Sequence, residues 1–121
     1  MENASFIAGD ICEVDLEPDS FDAVVGRRVL MYLPELDRAL VKLSSLLTPS
    51  GLFPFQIHDR TLVPGRWSDD WTVHDRLHQW IWDRVESEGA NVHLGFVLPA
   101  ALVRSGFNVE HIDASGIFPR Y

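Results

Sequence analysis

Apolar positions along the chain fall into short blocks separated by turn-forming or charged residues. Ser5, Phe6, Ile7 and Ala8 run into Gly9-Asp10, which predicts a strand entering a turn. Residues 13–20 are acidic and contain Pro18, so they predict a loop. Residues 21–25 form a mostly apolar, non-alternating run, the pattern of a strand covered on both faces as in a parallel sheet. Gly26, Arg27 and Arg28 then interrupt the apolar sequence before Val29, Leu30 and Met31 resume it.

Pro34 suits a first helical position, with Glu35 and Asp37 favourable near a helix N-terminus. Leu36, Leu40, Leu43 and Leu47 recur at helical spacing and predict one apolar stripe. Thr48-Pro49-Ser50-Gly51 ends that helix, and residues 52–57 predict a second strand. Pro54 is awkward there because it cannot donate to a ladder. Strand, helix and strand in this order predict a right-handed, parallel βαβ unit. Further on, 59–71 is a polar loop, and 73–88 is a helix with Leu77, Trp80, Ile81 and Val85 on its inner face and Gly89 as its stop. A short helix over 99–105, ended by Gly106, and a last strand over 107–112 complete the pattern. No repeat, low-complexity tract or linker divides residues 1–121, which predicts a single α/β domain.

Composition changes this picture little. A chain of 121 residues with 46% hydrophobic residues can bury a core of its own. No apolar segment approaches the ~20 residues that span a bilayer. The net charge of −8, with no basic cluster longer than two residues, argues against nucleic acid and acidic membrane surfaces as partners. Small neutral or cationic ligands stay open. Cys12 stands alone, so no internal disulfide is expected, and a reduced, cytoplasmic setting is the default.

Ligands of open parallel sheets bind beyond the carboxyl ends of the strands. Three such ends are expected on one edge: Gly9-Asp10-Ile11, Gly26-Arg27-Arg28 and Gln56-Ile57-His58-Asp59. Arg27 and Arg28 fit either ion pairs with Glu or Asp on neighbouring helices or an opening where a cation meets a ligand's carboxylate, and because adjacent strand residues face opposite sides one of the two is expected to be structural. His74 and His78 have the spacing at which two imidazoles share a metal, and His58 and Asp59 are possible further ligands. Neither a metalloprotease glutamate nor a cysteine pair accompanies them, so no metal is assigned and a solvated or substrate-facing helix surface is preferred. Trp67, Trp71, Trp80 and Trp82 are read as core and lid. A Gly-x-Ser-x-Gly elbow for Ser-His-Asp catalysis is absent from the sequence.

The segments "FIAGDI", "PDSFDAVVGRRVLMYLPELDRALVKLSSLLTPSGLFPFQIHD" and "HDRLHQWIWDRVESEGANVHLGFVLPAALVRSGF", in this order, resemble the middle and later part of a class I S-adenosylmethionine-dependent methyltransferase of the small-molecule type. The resemblance implies a partial Rossmann-like α/β fold, a mainly parallel sheet with flanking helices. Asp10 matches the acidic residue that accepts a hydrogen bond from the adenine amino group, and Ile11 the residue that packs on the ring. Gly26 and Arg27 match the strand end that meets the cofactor's methionine part. Gln56, His58 and Asp59 match the strand end where substrate approaches, so Gln56 and Asp59 are expected substrate contacts. His58 is the candidate general base and His74 the second choice.

The family's glycine-rich turn and its ribose-binding carboxylate have no counterpart, because the sequence starts at what resembles the third strand. The expectation is therefore the C-terminal part of a methyltransferase domain, acting on a small-molecule acceptor with impaired binding of S-adenosylmethionine. The alternative is a non-catalytic remnant that acts by association, and a metal-dependent hydrolase using His58, His74 and His78 is a third class. In the family's strand order, 3-2-1-4-5-7-6, the strands missing here would cover residues 23–25. Whether residues 5–8 pair with that edge or a second copy covers it, apolar surface left exposed predicts a homodimer or higher oligomer with an interface drawn from the Phe6, Val24, Val25 and Leu40 neighbourhood, the alternative being an N-terminal partner chain.

Overall fold

The computed structural model describes residues 3–60 and 72–115, without the side chains of Thr72 and His74. Its elements are β1 (Phe21–Ala23), β2 (Gly26–Arg27), a 3₁₀ turn (Leu30–Tyr32), α1 (Leu36–Leu46), β3 (Leu47–Leu52), β4 (Phe55–Gln56), α2 (Thr72–Ser87) and α3 (Leu94–Arg104). β1 pairs in parallel with β3, and β2 in parallel with β4. The βαβ unit expected over 21–57 is thus present, but each of its strands is broken into two short pieces.

Backbone chemistry explains the breaks. Pro54 has no N–H to donate, so pairing lapses at Phe53-Pro54, while the Pro54 carbonyl still accepts from Gly26 N at 3.3 Å. The opposite strand keeps step: Val24 N donates to Leu52 O at 2.9 Å and Arg28 N to Gln56 O at 2.7 Å. Thr48-Pro49-Ser50-Gly51 does end α1 at Leu46, yet it belongs to β3 rather than to a separate turn. Two steps along β1, from Phe21 to Ala23, face five along β3, from Leu47 to Leu52, so the extra residues bulge out of the ladder.

The core lies between the 3₁₀ turn, α1 and α3. Leu30, Met31, Leu40, Leu43, Leu46, Ala90, Leu94 and Ala101 are buried together. The leucine stripe predicted for α1 is the stripe that packs, except that Leu36 is half-buried and Leu47 already belongs to β3. α1 starts at Leu36, two residues after Pro34. Its N-cap residue, Glu35, makes no capping bond and instead accepts from Arg38 at 2.9 Å. α3 begins five residues earlier than expected and carries Pro99 within its first two turns. Gly89 and Gly106, both at φ +95°, close α2 and α3 in a conformation that L-residues rarely adopt.

Five expectations are corrected. Residues 5–8 form no strand; Phe6 is 94% exposed and pairs with nothing in the ladder. The run 21–25 is not covered on both faces, because β1 is exposed along its length and Val25 is 71% exposed. Residues 107–112 also form no strand: Phe107 N bonds back to Leu102 O, and its ring lies 4.4 Å from that of Phe53. On α2 the inward face is Trp82 and Val85, whereas Leu77, Trp80 and Ile81 point to solvent. On the inward side Arg60 reaches Asp83 at 3.4 Å and Glu86 at 3.5 Å. Finally, Leu40 is fully buried in the chain's own core, so it contributes nothing to an interface. Trp67, Trp71 and most of the 59–71 loop lie outside the described residues.

This packing separates two substitutions that sequence patterning alone would treat alike. Leu40→Ala is expected to lower the unfolding free energy by about 2–5 kcal/mol, the cost of a cavity in a closed core. Trp80→Ala, at an exposed site, is expected to change it by less than about 0.5 kcal/mol. Urea unfolding followed by circular dichroism measures both, and equal losses would contradict the core described here.

Candidate functional site

Site residues gather where β2 and β4 end side by side. Register pairs Gly26 with Phe55 and Arg27 with Gln56, so the two strands deliver Arg27, Arg28, Gln56 and His58 to one edge. Phe55 stacks on Phe53 with ring centroids 3.9 Å apart. A Cβ on residue 26 would run into the Phe55 ring, with Cδ1 only 2.8 Å away. Glycine at 26 is therefore a packing requirement of the strand end before it is anything else.

At Arg28 the chain leaves the ladder through a left-handed conformation, φ +57°, although the residue is not glycine. Such a conformation costs on the order of 1 kcal/mol and persists only where its surroundings impose it. Here the Arg28 N–H is fixed on Gln56 O, and two residues later Leu30 and Met31 enter the core. The double arginine thus marks the point where a strand stops and the chain turns back into the interior. Both guanidinium groups stay on the exposed side.

His58 sits behind them. Its ring is half-buried, and its Nε2 is enclosed with no hydrogen-bond partner among the described residues. The Trp82 ring lies 6.4 Å away. Burial, followed by the charges of Arg28 and Arg27, pushes the imidazole pKa below its ordinary value. His58 is therefore neutral at pH 7 and keeps a proton-accepting nitrogen in a protected position.

Asp59 is engaged elsewhere. Its Oδ2 accepts the Gly95 N–H at 2.7 Å, in the first turn of α3, and glycine at 95 leaves room for it: a Cβ there would stand 2.8 Å from that oxygen. A carboxylate on a helix N-terminus satisfies an orphan donor and complements the helix dipole.

A second group forms around Gly9-Asp10-Ile11-Cys12. A cleft of about 300 Å³ is bounded by these residues and by Val29, Leu33, Pro34 and Glu35. Asp10 holds its own turn, with Oδ1 accepting Cys12 N at 2.8 Å and its carbonyl accepting from Glu13 and Val14. Its other carboxylate oxygen accepts no described hydrogen bond. Burial, and next the Asp10 charge, push the Cys12 thiol above its ordinary pKa, which keeps it protonated and unreactive at neutral pH.

The structure therefore brings Asp10 and Ile11 together with 29–35, and Arg27 together with Gln56 and His58. It does not place all of them around one cavity, since Gly26 and Arg27 do not line the Asp10 cleft. The two groups are joined through Val29, which borders the cleft one residue after Arg28. Asp10 stands at a turn rather than at a strand end. The side chain of His74 lies outside the described residues, and His78 is exposed on α2. Among the described residues no three His, Cys, Asp or Glu side chains converge as a metal site would require. Sequence reasoning missed Val29, Leu33 and Glu35 as cleft walls and Gly95 as the seat of Asp59. Pro34 beside Glu35 was a usable signal for the former, and a Gly in a first helical turn for the latter.

A parallel strand–helix–strand unit with a polar strand-end face and an adjacent cleft is the framework of a nucleotide-type ligand site. The chain belongs to the methyltransferase-domain family, whose model matches residues 1–103, and its α/β structure is a partial Rossmann-like methyltransferase fold. A sterol 24-C-methyltransferase of Clavispora lusitaniae is 33% identical over 52 residues, which is 43% of this chain and 14% of that protein. One of Candida albicans is 35% identical over 49 residues, 40% of this chain and 13% of that protein. The matched segment is thus a small part of either enzyme.

Two expectations follow from the geometry. Because folding lowers the His58 pKa, the unfolded chain binds the proton more tightly, and the His58 contribution to stability is complete above about pH 6.5 and lost as the pH falls through the folded value. His58→Asn is expected to flatten the decline in urea midpoint between about pH 7.5 and 5. Asp59→Ala is expected to cost about 0.5–2 kcal/mol by uncapping α3, read as a lower midpoint at pH 7.5; an unchanged midpoint would show that the contact holds nothing.

Proposed function

We propose that the chain takes part in methyl transfer from S-adenosylmethionine to a small-molecule acceptor, using the cleft at Asp10 and Ile11 and the neighbouring strand ends that carry Arg27, Gln56 and His58. The observation that carries this reading is the Asp10 cleft, bordered by Val29 two residues beyond the end of β2, in a chain of the methyltransferase-domain family. The cleft's chemistry fits an adenine: Ile11, Val29, Leu33 and Pro34 offer apolar walls, and Asp10 has one oxygen for an amino group. The chemistry that bound S-adenosylmethionine supplies is an electrophilic methyl on a sulfonium, displaced in line by a nucleophile.

The chain's own residues would then divide the work. Arg27, exposed at the end of β2, pairs with the carboxylate of the cofactor's amino-acid part. Gln56, its neighbour in register, orients the acceptor by hydrogen bonding. His58, its pKa depressed, is the base for the proton that the acceptor's nucleophile sheds, a role that requires its enclosed Nε2 to open toward the acceptor on binding. Positioning accounts for most of such an acceleration, with the base adding a smaller part. Asp59, held by Gly95, fixes α3 against the strand ends. The acceptor is proposed to be a small molecule, a class that includes the sterols of the relatives' names.

A second reading, a non-catalytic module that acts by association, draws on the separation of Arg27 from the Asp10 cleft. Titration calorimetry tells the two apart. Catalysis by this face requires saturable binding of S-adenosylmethionine, expected at a Kd of about 0.1–1 mM, corresponding to ~4–5.5 kcal/mol. Asp10→Ala is expected to weaken it about tenfold through loss of one charged hydrogen bond. No heat at millimolar cofactor would remove the catalytic reading for this chain and leave the associative one.

A further inference from the structure

Within the methyl-transfer reading, on which this rests, we propose that the acceptor is a carboxylate-bearing small molecule and that Arg28 binds its carboxylate at the end of β2, with the nucleophile directed toward His58. The ladder fixes where Arg28 stands. Its N–H donates to Gln56 O at 2.7 Å, on the β4 side, where the pairing is complete within this chain. Its φ of +57° is one that glycine adopts without strain. An arginine retained there at a cost on the order of 1 kcal/mol points to a use for its side chain.

That side chain is exposed and makes no ion pair with a described residue. Acidic partners are plentiful, with 18 Asp and Glu against 10 Lys and Arg. Arg38, Arg60, Arg84 and Arg104 each find one. Around His58 the carboxylates are already engaged: Asp59 Oδ2 accepts from Gly95, and Asp83 and Glu86, beside Trp82 on α2, pair with Arg60. The guanidinium at 28 is thus left for a carboxylate that this side of the ladder does not supply. A single planar fork matches a single carboxylate in two parallel hydrogen bonds, which favours that group over a phosphate dianion needing more than one cation.

The two arginines divide between the two substrates. Both charges act on His58, and that of Arg28 acts more strongly than that of Arg27. Arg28 therefore belongs with His58 on the acceptor's side, and Arg27 with the cofactor's carboxylate. Seating an anion on Arg28 cancels the larger of the two charges that oppose protonation of His58. The base is weakest when the site is empty and gains proton affinity as the acceptor arrives, when the nucleophile's proton is to pass to it. The net charge of −8 disfavours anionic ligands over the surface at large, and this edge reverses that field locally.

Benzoate and benzamide, matched in shape and different in charge, are the probes. Benzoate is ionised throughout the titration range of histidine. The test is a proton-NMR pH titration of the full chain without cofactor, with the His58 ring signal identified by its loss in His58→Asn and ionic strength held constant with sodium chloride. Benzoate is expected to raise the His58 midpoint saturably below about 50 mM, and benzamide to leave it in place. Arg28→Gln is expected to raise the midpoint by itself and to abolish the benzoate response. Arg28→Lys, which keeps the charge without the fork, is expected to keep the low midpoint and to bind benzoate about three- to tenfold more weakly. Arg27→Gln is expected to retain the response. No rise with benzoate, an equal rise with benzamide, or a full response in Arg28→Gln overturns the proposal. Calorimetric binding of S-adenosylmethionine by a chain that ignores benzoate would overturn this proposal alone and leave the methyl-transfer reading in place.

Discussion

Everything described depends on one parallel pairing, the ladder between residues 20–28 and 46–56. Parallel strands cannot be joined by a tight turn, so a helix has to cross between them, and α1 is that crossover. Its length, its leucine stripe and the core it forms with Leu30, Met31 and α3 follow from that need. The same ladder places the ends of β2 and β4 level with each other and thereby sets Arg27, Gln56 and His58 on one edge. Fold and candidate site are two consequences of a single backbone arrangement.

What could be read beforehand was what local chemistry decides. The α1 stripe, the glycine stops at Gly89 and Gly106 and the trouble at Pro54 each depend on a few adjacent residues, and each is present in the structure. What could not be read depends on neighbours. Residues 5–8 look like a strand because Phe6 and Ile7 are apolar, but a strand exists only with a partner, and none pairs with them among the described residues. The apolar stripe of α2 shows the same thing: periodicity identified an amphipathic helix, yet Trp82 and Val85 are the residues that meet the core, on the side where Arg60 pairs with Asp83 and Glu86. Half of the candidate site was legible for the same reason. Strand ends follow from the pattern, whereas the walls given by Val29, Leu33 and Glu35 come from how the chain folds back after Arg28.

Electrostatics sharpen the division between the two parts of the site. The strand-end edge is cationic, and burial together with the charges of Arg28 and Arg27 depresses the His58 pKa. Asp10 and Glu35 both line the cleft, and Arg38 is tied to Glu35 and Glu13. In a chain of net charge −8, a cationic edge is a local inversion of the overall field, and it can hold a carboxylate that the rest of the surface repels. Acidic walls suit the opposite end of a ligand that carries an amine. A molecule with both kinds of group would lie across Val29, the residue that links the two regions.

The strongest sign that this edge serves more than stability is that it departs from two local rules within a few ångströms. Arg28 adopts a left-handed conformation without being glycine, and His58 encloses an Nε2 without a partner among the described residues. Neither helps folding: a glycine would relieve the first, and an apolar residue the second at no cost in hydrogen bonds. The core departs from no such rule, since no buried polar or charged residue is found among its described members. Departures of this kind concentrate where a sequence keeps a feature for binding or chemistry. Their position at paired strand ends, near the Asp10 cleft that Val29 borders, supports the ligand face proposed above.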